Sequence, residues 1–213
     1  MLNQKGFTLV EIAIVLVVIG LLIGGVLKGQ EMITNAKLKR MQGDNAGVAA
    51  AMFLYQDRYQ QLPGDDSRAA NRFGVYVPAD PVDGDGSGTI DGVWNIAATN
   101  DVTLAATAGT NLFYAHLRAA GLVAGSGIDD TKPSNPFGGQ IGIQSGSLGI
   151  AGHVFIFEAI EGSIARIIEA RFDDGAPDTG RLQAGLVANA MVPGGVAEVS
   201  YDDNSRYNLA FGL

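Results

Sequence analysis

Between Phe7 and Leu27 the chain runs through 21 residues with a single charge, Glu11. As a helix rising ~1.5 Å per residue, such a run spans about 31 Å, the thickness of a bilayer's hydrocarbon core. Water does not tolerate so apolar a face on a lone monomer. The segment therefore belongs in a membrane or among identical neighbours, and the rest of the chain is carried on it. Glu11 separates it from an ordinary anchor, because a carboxylate well inside lipid costs roughly 2.5–3.5 kcal/mol and needs a partner or a route to the interface. Spacing alone leaves both open: near the helix start Glu11 reaches the headgroups unaided, or it finds a partner among its neighbours.

A short polar leader, MLNQKG, precedes the run, with Lys5 and the small residue Gly6 directly before Phe7. A secretory signal peptide places its small-residue cut site after the apolar run, and no A-x-A pattern stands there. Cleavage at Gly6 instead leaves the hydrophobic helix on the product.

The string Gly6-Phe7-Thr8-Leu9-Val10-Glu11, with the apolar run behind it, resembles the signature of the type IV prepilin and pseudopilin family; the close match covers about residues 5–40. The resemblance implies that a prepilin peptidase cuts between Gly6 and Phe7 and methylates the freed amine of Phe7. It further implies that Glu11 meets the Phe7 amine of a neighbouring subunit, setting axial register. Two opposite charges in a low-dielectric bundle are each costly alone and compensated together. The implied location is the bacterial inner membrane as precursor, then a periplasmic or extracellular filament whose partners are copies of itself and other pilins.

Two features depart from that pattern. Many pilins carry a Pro where this chain has Lys28; here Gly20, Gly24, Gly25 and Gly29 weaken the helix, at about 1 kcal/mol each, and allow close helix contacts. Lys28, Lys37, Lys39 and Arg40 follow the apolar run, whereas only Lys5 and the amino terminus precede it. Counting positive charges keeps the head in the cytoplasm; the resemblance implies the opposite.

Beyond the apolar run, Leu38, Met41, Val48, Met52, Tyr55 and Tyr59 recur at helical steps, and Pro63-Gly64 is the first firm stop. One helix from Phe7 to Tyr59 is expected, on the order of 80 Å long. The chain thus divides into a leader (1–6), a transmembrane or filament-core half-helix (7–28), an amphipathic half (29–60) and a globular head (61–213). In the head, 61–100 reads as loop-dominated, NLFYAHLRAAGL (111–122) as a helix ended by Gly121, and 163–175 as a helix with Ile164, Ile167, Ile168 and Phe172 on one side. QIGIQ, HVFIFEAI, LQAGLVA and AEVSYDD read as strands, and RYNLAFGL as an added edge strand. The order gives an α+β fold, a long N-terminal helix packed on an antiparallel sheet, which is also the architecture the resemblance implies.

Oxygen-bearing residues alternate through Asp83, Asp85, Ser87, Thr89 and Asp91, with Gly88 at the sixth place and Ile90 placed to pin the loop to the core. That spacing suits a calcium ion, and it resembles an EF-hand loop except that Trp94 replaces the bidentate Glu at the twelfth place. A metal-free acidic turn is the competing reading. The Asp pairs 65/66, 129/130, 173/174 and 202/203 sit beside turn formers and read as solvated turns or caps. His116 and His153 stand in unrelated apolar contexts, and Trp94 with Tyr76 reads as packing. No metalloprotease, nucleophile-elbow, Walker or dinucleotide motif is present, so no enzyme is expected.

The chain holds 14 Lys+Arg against 22 Asp+Glu, a net charge of −8. That acidity argues against nucleic acid as the main partner, and Lys37, Lys39 and Arg40 read as a solvated helix face. With no cysteine, no disulfide closes the head. Three roles fit: a structural subunit of a type IV pilus or related filament, a pseudopilin of a type II secretion system, or a minor tip pilin or adhesin.

Overall fold

A computed structural model describes residues 8–74, 84–94, 109–125, 131–187 and 195–213. Helix α1 (Leu9–Tyr59) forms as the apolar run and the helical spacing require; Phe7, its expected first residue, lies outside the described residues. The glycines do not interrupt it. At Gly20, Gly24, Gly25, Gly29, Gly43 and Gly47 the missing side chains face open space. The helix ends at Gln60, whose φ of 54° is left-handed, before Pro63 is reached.

The chain divides into two compact units, 1–40 and 41–213. Among the described residues the first unit is helix alone. Its large apolar side chains from Leu9 to Leu27 are exposed, Leu9 at 87% and Leu21 at 73%.

The second unit begins with the last turns of α1, where Met41, Ala51, Met52 and Tyr55 are buried. It continues with α2 (Ala69–Phe73), α3 (Gly109–Ala119), β1 (Ile141–Ser147), β2 (Ile150–Glu161), α4 (Gly162–Phe172), β3 (Leu182–Leu186) and β4 (Arg206–Gly212). The four strands make one antiparallel sheet in the order β1-β2-β4-β3.

Alternation sorts the strand side chains onto two faces. Val154, Ile156 and Ala210 pack with Trp94 and Leu148 on one. On the other, Phe157 meets Phe211 edge-on at 5.3 Å, and Phe155 meets Phe113 of α3 at 6.2 Å. Tyr55 of α1 lies 6.3 Å from both Phe73 and His116, so α2 and α3 are clasped against the long helix. Met41, Gln42 and Asn45 share a cavity of about 290 Å³ with Leu182, Phe211 and Phe172, which brings the helix over the β3–β4 end of the sheet. The arrangement is α+β and pilin-like.

Three expectations need correction. RYNLAFGL is not an edge strand: β4 lies between β2 and β3, and its four consecutive buried residues, Tyr207 to Ala210, reflect neighbours on both sides. AEVSYDD is not a strand. Val196 and Val199 are exposed at 87% and 76%, and Glu198 N–H reaches Ala184 O (2.8 Å) from an irregular segment. Within the stretch expected to be dominated by loop, α2 also forms, a single turn too short to show a period and closed by Gly74 at φ 60°. In α4 the buried face is Ala165, Ile168 and Glu169, while Ile167 and Phe172 are exposed, so the face is turned toward an acid.

Candidate functional site

Gly6 and Phe7 lie outside the described residues; Thr8 and Glu11 lie within them. Glu11 Oε2 accepts hydrogen bonds from Thr8 N–H and Thr8 Oγ1, both at 2.9 Å, and Glu11 N–H returns one to Thr8 Oγ1 at 3.3 Å. This reciprocal pair is a capping box that satisfies orphan donors where α1 starts. The T-x-x-E spacing of that box is visible in the sequence. A carboxylate in the first turn also faces the positive end of the helix dipole. Glu11 is exposed, so its carboxylate stands open to another chain.

In the head, Asp83 and Tyr76 lie outside the described residues, whereas Asp85, Ser87, Thr89 and Asp91 lie within them. Thr89 Oγ1 donates to Asp91 Oδ1 and lies 2.8 Å from Ser87 Oγ; Asp85 Oδ1 accepts from Ser87 N–H at 3.0 Å. The loop closes around an acid from elsewhere. Asp65, buried in the LPGDD turn, accepts the backbone N–H groups of Gly86 (2.8 Å), Ser87 (3.1 Å) and Gly88 (2.7 Å). Gly84 packs so tightly there that a Cβ would fall 2.1 Å from the Asp65 carbonyl carbon. Burial, and then the adjacent Asp85 carboxyl, push the Asp65 carboxyl above its ordinary range against those three donors. Asp65, Asp85, Thr89 and Asp91 line one cavity of about 290 Å³. Ile90 is fully buried and bonds β1 through Ser145, both N–H to Oγ (2.7 Å) and O to N–H (3.0 Å).

The expectation that Asp65 and Asp66 are solvated is wrong: they are 3% and 0% exposed. Asp66 accepts from Tyr55 Oη (2.7 Å) and Arg68 N–H (2.9 Å) and pairs with Arg72. Asp174 and Asp202 do act as turn acids, taking the N–H of Ala176 (2.9 Å) and Asn204 (3.1 Å), while the 129/130 pair lies outside the described residues.

The two histidines are apart in role. His116 is buried, its Nδ1 accepting Gly64 N–H at 2.9 Å; His153 sits 2.9 Å from Ser145 Oγ, and partial burial lowers its pKa. Trp94 is buried, as packing requires. Sequence reasoning missed Glu169, whose carboxyl burial pushes up to about 7; Tyr201 opposes the shift, and Asp173 and Asp174 add to it.

The class these features define is a chain in which, among the described residues, one helix is long and apolar enough to cross a membrane, an 18-residue window of it having mean hydropathy 2.8, together with a pilin-like α+β head. Residues 1–27 match the family model described as the prokaryotic N-terminal methylation motif, the signal of type IV prepilins and pseudopilins. The match supports a pilin-like or pseudopilin precursor, fits an inner-membrane location for it, and points to a structural protein rather than an enzyme. No curated protein and no solved structure matches the chain.

Proposed function

We propose that this protein is a structural subunit of a type IV pilus or a related filament, cut by prepilin peptidase between Gly6 and Phe7 and assembled through α1. The observation that carries this is the apolar rod from Leu9 to Leu27, exposed along its length within the stretch that matches the methylation motif. A rod of that length is at home in lipid before assembly and among copies of itself after it. Glu11, open at the helix start, supplies the acid for a neighbour's Phe7 amine.

The test is the fate of two variants. Glu11→Ala should insert and be cut normally yet yield few or no filaments; filaments in normal number contradict the role given to Glu11. Gly6→Leu should leave the leader attached, seen as an unshifted intact mass.

A calcium ion in the cavity of Asp65, Asp85, Thr89 and Asp91 is a second part of the proposal. It is supported by the buried Asp65 carboxylate held against Asp85, two like charges that a cation would reconcile. Calcium should then raise the melting temperature of the wild type and not of Asp85→Asn; an equal shift in both contradicts it.

A further inference from the structure

The last turn of α4 and the loop behind it gather three acids away from the loop just described. Glu169 is fully buried, Asp173 half-buried and Asp174 exposed, and one carboxylate oxygen of each lies within 4.8 Å of the other two. The Tyr201 hydroxyl donates to Glu169 Oε2 at 2.8 Å. Glu169 Oε1, equally shut off from solvent, has no hydrogen-bond partner. A buried acceptor left unmade is costly, and more so when charged.

The surroundings add to that cost. A helix C-terminus carries about half a negative charge, so acids there oppose the dipole. Among the described residues the ion pairs involve other acids, and none of these three takes part. Arg166, one turn back, is held by Asp203 and the Tyr201 carbonyl, and Arg181 by the Gly212 carbonyl.

The acids are also held in place. Asp173 Oδ2 accepts Leu182 N–H at 2.6 Å, and Asp174 accepts Ala176 N–H through Oδ1 (2.9 Å) and the Thr179 hydroxyl through Oδ2 (2.6 Å). Gly180, at φ +77°, lets the loop fold back onto them: a Cβ there would fall 2.1 Å from Asp173 Oδ2.

We propose that Glu169, Asp173 and Asp174 bind a divalent cation of the calcium kind, with Glu169 Oε1 as its buried ligand. The donors are all hard oxygens with no imidazole or thiolate among them, which suits calcium over transition metals. The ion would satisfy Oε1, offset the acids at the helix end, and tie α4 to the loop before β3 and, through Tyr201, to the segment before β4. The proposal stands whether or not the filament reading does.

The test uses the full chain in detergent, stripped with a chelator, in an Asp85→Asn background that silences the other acidic loop. Calorimetric titration with calcium chloride should show one site. Glu169→Gln and the surface variant Asp174→Asn, which removes no buried group, should each weaken it about 100-fold. Terbium in place of calcium should luminesce when tyrosine is excited, and Tyr201→Phe should weaken that emission, with Tyr207 beside it supplying the remainder. No calcium binding in the Asp85→Asn background, unchanged affinity in Asp174→Asn, or terbium emission unchanged by Tyr201→Phe would overturn the site.

Discussion

Asp66 shows most clearly what single residues contribute to the head. It is fully buried, and it gathers Tyr55 from α1, the start of α2 and the Arg72 guanidinium. Removing one partner of a buried pair leaves the other charge uncompensated, so Asp66→Ala should cost about 3–5 kcal/mol by chemical denaturation. A loss below about 1 kcal/mol would mean that Arg72 simply turns to water. His153 predicts a pH effect. Its folded pKa lies below the ordinary 6.5, so its contribution to stability is intact above that value and is lost as pH falls through the folded pKa. Melting followed from pH 7.5 down to 5 should drop more steeply in the wild type than in His153→Asn. The methylation motif was legible because it is local, one unbroken string within residues 1–27. Asp65, Asp66 and Glu169 were not, because what defines them comes from far along the chain, the backbone of 86–88, the hydroxyl of Tyr55 and that of Tyr201.

At the scale of elements, the helices that the spacing revealed are those long enough to show a period. That holds for α1 and α3, and for α4 apart from the face it buries. The one-turn α2 has no period to read; it is set by Asp66 at its start and Gly74 at its end. Four of the expected strands formed and AEVSYDD did not, and the place of β4 in the sheet was not legible, since alternation reveals a strand and says nothing of which neighbours flank it. That place makes a prediction. Deleting residues 206–213 should abolish the cooperative melting of the head, because β2 and β3 both pair with β4. A genuinely marginal edge strand would be lost with only a modest fall in melting temperature.

For the molecule as a whole, two parts of the sequence obey different solvents. The first, from Leu9 to Leu27, exposes apolar side chains that water rejects; the second encloses a core of Trp94, Phe113, Phe155 and their neighbours and presents an acidic surface. Local composition made the first part plain, and the methylation motif agrees with it. The head's role is not written in any motif, and each of its two acidic clusters draws one member or partner from far along the chain, Asp65 for the first and Tyr201 for the second. The most direct measurement is the intact mass of the protein recovered from sheared surface filaments. A filament subunit predicts a chain that begins at methylated Phe7 and keeps residues 7–28. A dissolved monomer that has lost those residues, and filaments that contain none of it, would contradict it.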